Sequence, residues 1–595
     1  MYCLGEFNVE WLYQLFRDLP KRFTPFLGWI GELKQPNVLK ADALAGLSVA
    51  LVLIPQSMAY ASLAGLPAQI GLYASFLPVI IAALLGSSRH LSTGPVAVVS
   101  LMSAAALQGI LGANPDTSTF ITYSAFLAII VGVIQLALGL LRLGVLVDFL
   151  SHPVIIGFTN AAALIIASSQ LSKVFGLKIP EFNHQYEVVW YTIKSLGQSH
   201  WPTVAMAAFS LFTLLILRKY APKLPNILIT VVLATVLAQL AHYDEMGGKV
   251  VGKIAAGLPE LNLPLIDSND LVQLIASGIV IALVGFVEAI SIAKSIAAQT
   301  RYPLSANQEL VGQGLANMVA GVFQGYAVSG SFSRTAVNYT SKARTGFSSV
   351  VAGSLVALTL LFFVDWLYYL PQATLAAVIM IAVLGLIKFE PLRHAWKVTY
   401  HDGVVGIVTF IMTLVVAPHL EYGIMTGVLL SLGLFLYRTM TPHFAEVSRH
   451  PDGSLRDIHR HNLISSETVG VYRFDGDLYF ANSGYLEGKI LNSVAQKPKM
   501  KVLVLDMESV DQVDSTGEEM LIRVSDHLKS LSIEFYLARV KLPVQKAFQR
   551  SGLIEHIGKG RFFRERTEAV CHAKEVLGDA IDITPILFHA RPILT

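Results

Sequence analysis

Leu91-Ser92-Thr93-Gly94-Pro95-Val96-Ala97-Val98-Val99-Ser100 and Ala327-Val328-Ser329-Gly330-Ser331-Phe332-Ser333-Arg334-Thr335-Ala336 follow one plan. Each opens with a short run of extended type, reaches Gly beside Pro or Ser, and then starts a helix. Ser, Gly and Pro are poor in a helix interior but good at its start. Both stretches are embedded in apolar sequence, so each predicts a half-helix whose N-terminus lies inside a membrane. Its free N–H groups and positive dipole end, equivalent to about half a charge, suit an anion.

The surrounding composition supports a membrane. Of 595 residues, 54% are hydrophobic and 14% charged, and mean hydropathy is +0.57. Soluble domains carry about 25% charged residues. Charge is sparse from Ala41 to Met440 and returns at ordinary density from Thr441 onward, which marks a boundary there. The sequence therefore divides into an N-terminal segment 1–40, a transmembrane part 41–440, a linker 441–467, a soluble domain 468–577 and a tail 578–595. Residues 9–30 read either as an interfacial amphipathic piece or as a plain leader. Cys3 and Cys571, at opposite ends, imply neither a disulfide framework nor a metal site. A net charge of +3 points to no nucleic-acid partner. No cofactor is expected.

A spanning helix needs about 20 mostly apolar residues. Candidate spans fall at 43–64, 69–86, 95–110, 119–141, 153–172, 202–218, 224–241, 271–293, 308–325, 332–341, 347–366, 371–388, 402–417 and 421–438. With the N-terminus in the cytoplasm, Arg89, Arg142, Arg218, Lys219, Lys223, Arg301, Lys342, Arg344, Lys388, Arg393 and Lys397 all fall in inside loops, as the positive-inside rule requires. Both termini are then cytoplasmic and the protein is a multi-pass protein of the cell membrane. Fourteen spans form two halves of seven in opposite orientation. The broken segments are the third and the tenth, matched positions in such an inverted repeat.

Other polar groups lie at depth. Arg334, in the first turn of the second half-helix, costs at least about 3 kcal/mol in lipid and needs a cavity or partner. It reads as part of an anion site, with a structural ion pair as the alternative. In the first span Pro55 breaks the hydrogen-bond ladder, while Gln56 and Tyr60, four apart, share a face. They are candidate donors to an oxyanion, or Gln56 satisfies the backbone that Pro55 frees. Glu288, inside the eighth span, suits proton coupling because its charge is sensitive to burial and to a nearby cation. A permanent ion pair and a sodium site are its other readings. His90, His152 and Asp148 sit at loop edges, where loop polarity accounts for them.

Taken together, Pro67-Ala68-Gln69-Ile70-Gly71-Leu72-Tyr73-Ala74-Ser75, Gly86-Ser87-Ser88-Arg89-His90, the Gly94 start, Gly330 to Arg334 and the Glu288 helix resemble the SulP anion transporters, and proton-coupled sulfate permeases among them. The resemblance spans about residues 35–575. It implies a seven-plus-seven inverted fold like uracil permease, with core and gate domains, elevator-type transport and a homodimer. Anion-binding positions carry over onto Gln56, Tyr60, Val96, Ser333 and Arg334, with Glu288 as the coupling acid. Tyr60 stands where some relatives have Phe. The family also holds bicarbonate and chloride carriers, some sodium-coupled. A sodium-dependent bicarbonate transporter or an anion exchanger is therefore an alternative to proton-driven sulfate transport. A membrane-anchored signalling protein is a third reading. No nucleophile–base pair or phosphate-cradling loop points to an enzyme.

Beyond Thr468, strands at Val469–Phe474, Lys501–Met507 and Ile533–Ala538 alternate with helices at Glu518–Lys529 and Pro543–Ser551, the pattern of a small α/β domain. It resembles the STAS domain that follows these transporters. Soluble relatives of that domain carry a phosphorylated serine in the loop matching Asp514-Ser515. Ser515 is thus a candidate regulatory phosphosite, and a helix cap on the plainer reading.

Overall fold

The computed structural model describes residues 24–587, apart from 113–115, 145–150, 178–184, 222–223, 255–256, 265, 267–269 and 418. Cys3, Asp148, Lys223, the 9–30 segment before residue 24 and the tail beyond residue 587 lie outside the described residues. The chain forms two compact units, Met1–Ser431 and Leu432–Thr595.

All fourteen apolar segments are helical. They are α1 Pro36–Leu63, α2 Ala68–Leu85, α3 Ala97–Leu111, α4 Thr117–Leu140, α5 His152–Phe175, α6 Trp201–Tyr220, α7 Asn226–Leu240, α8 Leu271–Thr300, α9 Ala306–Val322, α10 Phe332–Thr340, α11 Phe347–Phe362, α12 Gln372–Leu384, α13 Tyr400–Val416 and α14 Leu420–Met440. Seven have the length and apolar composition to cross a bilayer as regular helices. The third and tenth are short for a definite reason: the residues before them are strands. β1 Thr93–Gly94 pairs antiparallel with β2 Ser329–Gly330, Thr93 opposite Gly330 and Gly94 opposite Ser329.

Packing repeats with a shift of seven. Helix α1 packs on α11 as α8 packs on α4, and α3 on α8 as α10 on α1. Likewise α2 meets α11 as α9 meets α4, and α5 meets α13 as α12 meets α6. Seven is odd, so the halves enter the membrane in opposite senses, and β1 and β2 meet head to tail about the axis that relates them. The protein is a polytopic helical membrane protein with an inverted repeat.

Small residues set the closest approaches. A Cβ on Gly132 of α4 would come within 2.6 Å of the Gly314 carbonyl oxygen of α9. A Cβ on Gly157 of α5 would come within 2.3 Å of the Gly406 carbonyl oxygen of α13. Helices of a membrane protein gain from such contact because lipid supplies no hydrophobic drive between them. Two buried carboxylates pin the turns. Asp42 accepts from the Arg344 amide at 2.6 Å and from the Thr345 hydroxyl, and Glu309 accepts from the Ser87 and Ser88 amides at 2.9 and 3.0 Å.

The second unit is an α/β domain on one six-stranded sheet of order β4-β3-β5-β6-β7-β8. Its strands are β3 His443–Arg449, β4 Leu455–Asp457, β5 Val469–Asp475, β6 Val502–Asp506, β7 Glu534–Ala538 and β8 Phe562–Phe563. The last four run parallel and β3 and β4 antiparallel. Helices α15 Ser483–Gln496, α16 Ser515–Ser530 and α17 Leu542–Ser551 cover one face, and α18 Arg566–Leu577 the other. The run Val502-Leu503-Val504-Leu505 is apolar throughout because Leu503 and Leu505 enter one core while Val502 and Val504 enter the other.

Two readings of this region change. The segment 441–467, taken from sequence as a linker, contains β3 and β4, whose charged and small residues hide a strand of which only one face is fully buried. The tail from 578 contributes Ile581 and Ile586 to the core beneath α18.

Candidate functional site

The unwound stretches before α3 and α10 cannot satisfy their backbone in lipid, so side chains must do it. Asn317 on α9 does this for β2. Its Oδ1 accepts from the Val328 amide at 2.7 Å and its Nδ2 donates to the Val328 carbonyl at 3.0 Å, as a neighbouring strand would. Gln313, one turn away, donates to the Thr93 hydroxyl at 2.7 Å. Ser329 donates to the Gly285 carbonyl at 2.6 Å, and the Ser92 amide donates to the Thr335 hydroxyl at 3.0 Å. The strands are thereby fixed, and they aim two helix starts at one place.

That place is a cavity of about 390 Å3. From one side it is walled by Val52, Gln56 and Tyr60 of α1, Val96 to Val98 at the start of α3, Glu288 of α8, and Ser331 to Ser333 at the start of α10. From the other side come Leu214 and Arg218 of α6, Asn226 and Ile227 of α7, and Val378 to Leu386 at the end of α12. Four of the five anion-site residues expected from sequence, Gln56, Tyr60, Val96 and Ser333, line it together with Glu288. The first-turn amides of α3 and α10 have no helical acceptor, and the Ser331 hydroxyl caps one of them, that of Arg334.

Arg334 differs from the expectation. It is fully buried and lies behind the cavity wall rather than in it. Its Nη1 donates to the Pro95 carbonyl at 2.8 Å, which ties the first turn of α10 to the start of α3. Nε and Nη2 have no hydrogen-bond partner among the described residues, and nor do Glu288 Oε2 and Gln56 Oε1. Glu288, Tyr60 and Tyr326 lie within electrostatic reach of the guanidinium. A positive charge held behind two helix starts raises the potential of the cavity without filling it. The sequence places Arg334 in the first turn; which way a first-turn side chain points depends on packing against β1.

Glu288 and Phe332 also border a second cavity of about 390 Å3, lined further by His152, Asn160, Ser291 and Lys388. Asn160 holds Lys388 by both backbone groups, at 2.7 and 3.0 Å. Arg218, Asn226 and Tyr326 were not singled out from sequence. Arg218 counted there only as a loop charge, and Tyr326, whose hydroxyl meets that of Ser100 at 3.0 Å, carries no local signal. In the α/β domain Ser515 is exposed at the first position of α16, and Asp514 caps that helix through the Gly517 amide at 2.8 Å. Asp514 also accepts from the Phe480 amide at 2.8 Å, which joins two loops.

Comparisons with known proteins agree with this architecture. Residues 39–409 match the sulfate permease family and residues 461–569 the STAS domain. The chain is 33% identical over 582 residues to the chloroplastic sulfate transporter 4.1 of Arabidopsis thaliana, covering 94% of this chain and 83% of that protein. It is 35% identical over 539 residues to a probable sulfate transporter of Mycobacterium tuberculosis, covering 90% and 95%. Among solved structures, the murine Solute Carrier 26 family member A9 anion transporter in the inward-facing state superposes with a TM-score of 0.87 at 24% identity, over 97% of this chain and 96% of that one. The transmembrane domain of the cyanobacterial bicarbonate transporter BicA gives 0.56 at 24% identity, over 65% and 97%. The match to both parts of the chain, with relatives at this identity over nine tenths of its length, establishes that it belongs to the sulfate permease family, a family of multi-pass transporters and not of enzymes, and that it ends in a STAS domain.

Proposed function

We propose that the protein is a secondary transporter of small inorganic anions, sulfate foremost, driven by protons. The observation that carries this reading is the convergence of two half-helix starts on one cavity backed by Arg334. Gln56 and Tyr60 offer amide and hydroxyl donors, Val96 and Ser333 lie in or next to the first turns, and Arg334 sets the sign of the field. The sulfate transporters among the relatives fit the same substrate class.

Glu288 stands on the cavity wall with one carboxylate oxygen unpartnered. Protonated, it leaves the anion an unopposed positive field; ionised, it competes with the anion for that field. That exchange couples proton and anion movement. The walls come from two sets of helices, α1, α3, α8 and α10 against α6, α7 and α12, and sliding of one set along the other gives an elevator. Basic residues gathered at alternate turns favour cytoplasmic termini in the cell membrane, and the family resemblance favours a homodimer. Ser515, exposed at a helix start, is the proposed phosphosite of the STAS domain; labelling that survives Ser515→Ala removes it.

Uptake of labelled sulfate into proteoliposomes, with proton and sodium gradients imposed separately, tests the reading. Sulfate uptake is expected to follow an inward proton gradient and to fall about 100-fold or more in Arg334→Ala. Glu288→Gln is expected to lose the pH drive and keep sulfate exchange. Sodium-driven bicarbonate uptake with no sulfate competition overturns it.

A further inference from the structure

A further polar cavity, of about 870 Å3, lies in the membrane unit away from the Arg218 mouth. It sits where α5 ends, α6 begins, α7 has ended and α12 begins, and those ends belong to the opposite face from Arg218 and Asn226. Its charged lining residues are Lys173 and Lys249, and among the described residues no carboxylate lines it. Ser172, Ser195, Gln198, Ser199 and Thr203 add hydroxyl and amide groups. His200 is already engaged, by Thr203 at 2.8 Å and the Met246 carbonyl at 3.0 Å.

Lys173 and Lys249 line this one cavity as like charges. Lys249 lies within electrostatic reach of Lys173, and Lys173 is half-buried. Two ammonium groups sharing a cavity without a counter-ion repel, and the repulsion is relieved by an anion between them. Lys173 Nζ donates to the Ser62 carbonyl of α1 at 3.2 Å. An ammonium has three donors. The Ser62 contact also fixes where this cavity sits. Tyr60 lines the transport cavity, and Ser62 is two residues further along the same helix, about 3 Å of rise. Lys173, which lines this cavity, therefore touches α1 within one turn of Tyr60, which lines the transport cavity, and Ala61 and Leu63 beside that contact are buried.

We propose that this cavity is a second anion-binding site, where a small divalent oxyanion is held between Lys173 and Lys249 before it enters the site in front of Arg334. The assignment rests on the transport reading above for its role as an antechamber, but its binding chemistry stands apart from it. Low-dielectric walls of one sign of charge concentrate an oppositely charged solute by tenfold or more. A cavity of that kind lowers the KM from its own face and leaves the other face unaffected.

Membrane vesicles of both orientations, prepared from cells expressing the full chain, separate the two faces. Lys173→Gln and Lys249→Gln are each expected to raise the sulfate KM by about 3- to 10-fold when the Lys173 face meets the label. In the opposite orientation the KM is expected to stay within about twofold of the parent, and Lys173→Arg should restore most of the loss. An equal effect in both orientations, or none in either, overturns the proposal. Lys249→Gln, exposed and clear of the helix contacts, keeps the test valid if Lys173→Gln does not fold. Calorimetric titration of sulfate into detergent-purified Arg334→Ala protein reads the cavity without transport. A weak site should remain there and vanish on adding Lys249→Gln; a site that persists refutes the assignment. Absence of sulfate uptake by the parent chain in both orientations would instead remove the transport reading, leaving the titration to judge the cavity.

Discussion

Gly94 holds φ at +145°, and a Cβ there would stand 3.2 Å from Arg334 Nη2. The first strains any side chain there, and the second requires the guanidinium to yield by a few tenths of an ångström. The backbone strain alone costs about 1–3 kcal/mol, and the methyl group presses on the guanidinium that donates to the Pro95 carbonyl. Gly94→Ala is accordingly expected to lower thermal stability in detergent and to reduce sulfate uptake by an order of magnitude or more. A variant with parental uptake would mean that the Arg334–Pro95 bond does not position the site. At this scale the sequence was legible where residue type betrays backbone conformation, as at Gly94, Ser331 and Pro55. It was silent on direction. Nothing local says that Arg334 turns toward Pro95 rather than into the cavity, since that choice is made by β1, which is more than 200 residues away in the chain. Arg218 reads from sequence only as a loop charge, and Asn226 carries no signal, because a residue at a helix end looks the same whether it faces solvent or closes a cavity.

Among the elements, β1 and β2 are the most exposed to failure, since two residues each must keep their shape at membrane depth. Asn317 supplies the missing strand edge of β2. Asn317→Leu leaves the Val328 amide and carbonyl unpaired, at about 1–3 kcal/mol each, and should depress the melting temperature together with uptake. Retention of both would show that water replaces the amide. In the α/β domain the fully buried Asp506 at the end of β6 pairs with Arg566 of α18 at 2.9 Å. Burial pushes the Asp506 carboxyl above its ordinary range, and Arg566 opposes that shift. Removing Arg566 strands a buried charge, at about 3–5 kcal/mol. An acid whose folded pKa is raised stabilises the fold at low pH and loses that contribution as pH rises through the raised value. Arg566→Met should therefore match the parent near pH 4 and fall progressively behind it toward pH 7, read as hydrogen exchange of β6 in the full chain. A pH-independent deficit would place the loss in packing. Helix positions were legible because hydropathy reports the solvent directly. The strand β3 was not, because His443-Phe444-Ala445-Glu446-Val447-Ser448-Arg449 mixes polar and apolar residues in a pattern that only its antiparallel partners β4 and β5 explain.

For the whole membrane body, the cavity walls divide between two sets of helices, and a transport cycle that slides one along the other must change distances across the cavity. Val52 of α1 and Ile381 of α12 line it from opposite sides. With Cys3 and Cys571 replaced by serine, cysteines at 52 and 381 bridged by a short reducible linker should cut uptake by about tenfold or more, with recovery on reduction. Full uptake by the bridged protein would exclude relative motion of these walls. The inverted repeat was readable from the count of spans and the two Gly-Ser/Pro breaks. The pairing of helices was not, because contacts such as α1 with α11 link sequence separated by some 300 residues and leave no local trace.

The shift-by-seven symmetry of the contacts carries one more consequence. Turned over, the membrane body presents nearly the same arrangement with its halves exchanged. In the transport cycle proposed above, the two end-states would be built from matching helix pairs, which would draw their energies together and keep either face from becoming a trap. Near-degeneracy is what lets a small ligand or a single proton tip the population. It also makes errors signed: a substitution in one half and its counterpart seven helices later should bias the balance toward opposite faces.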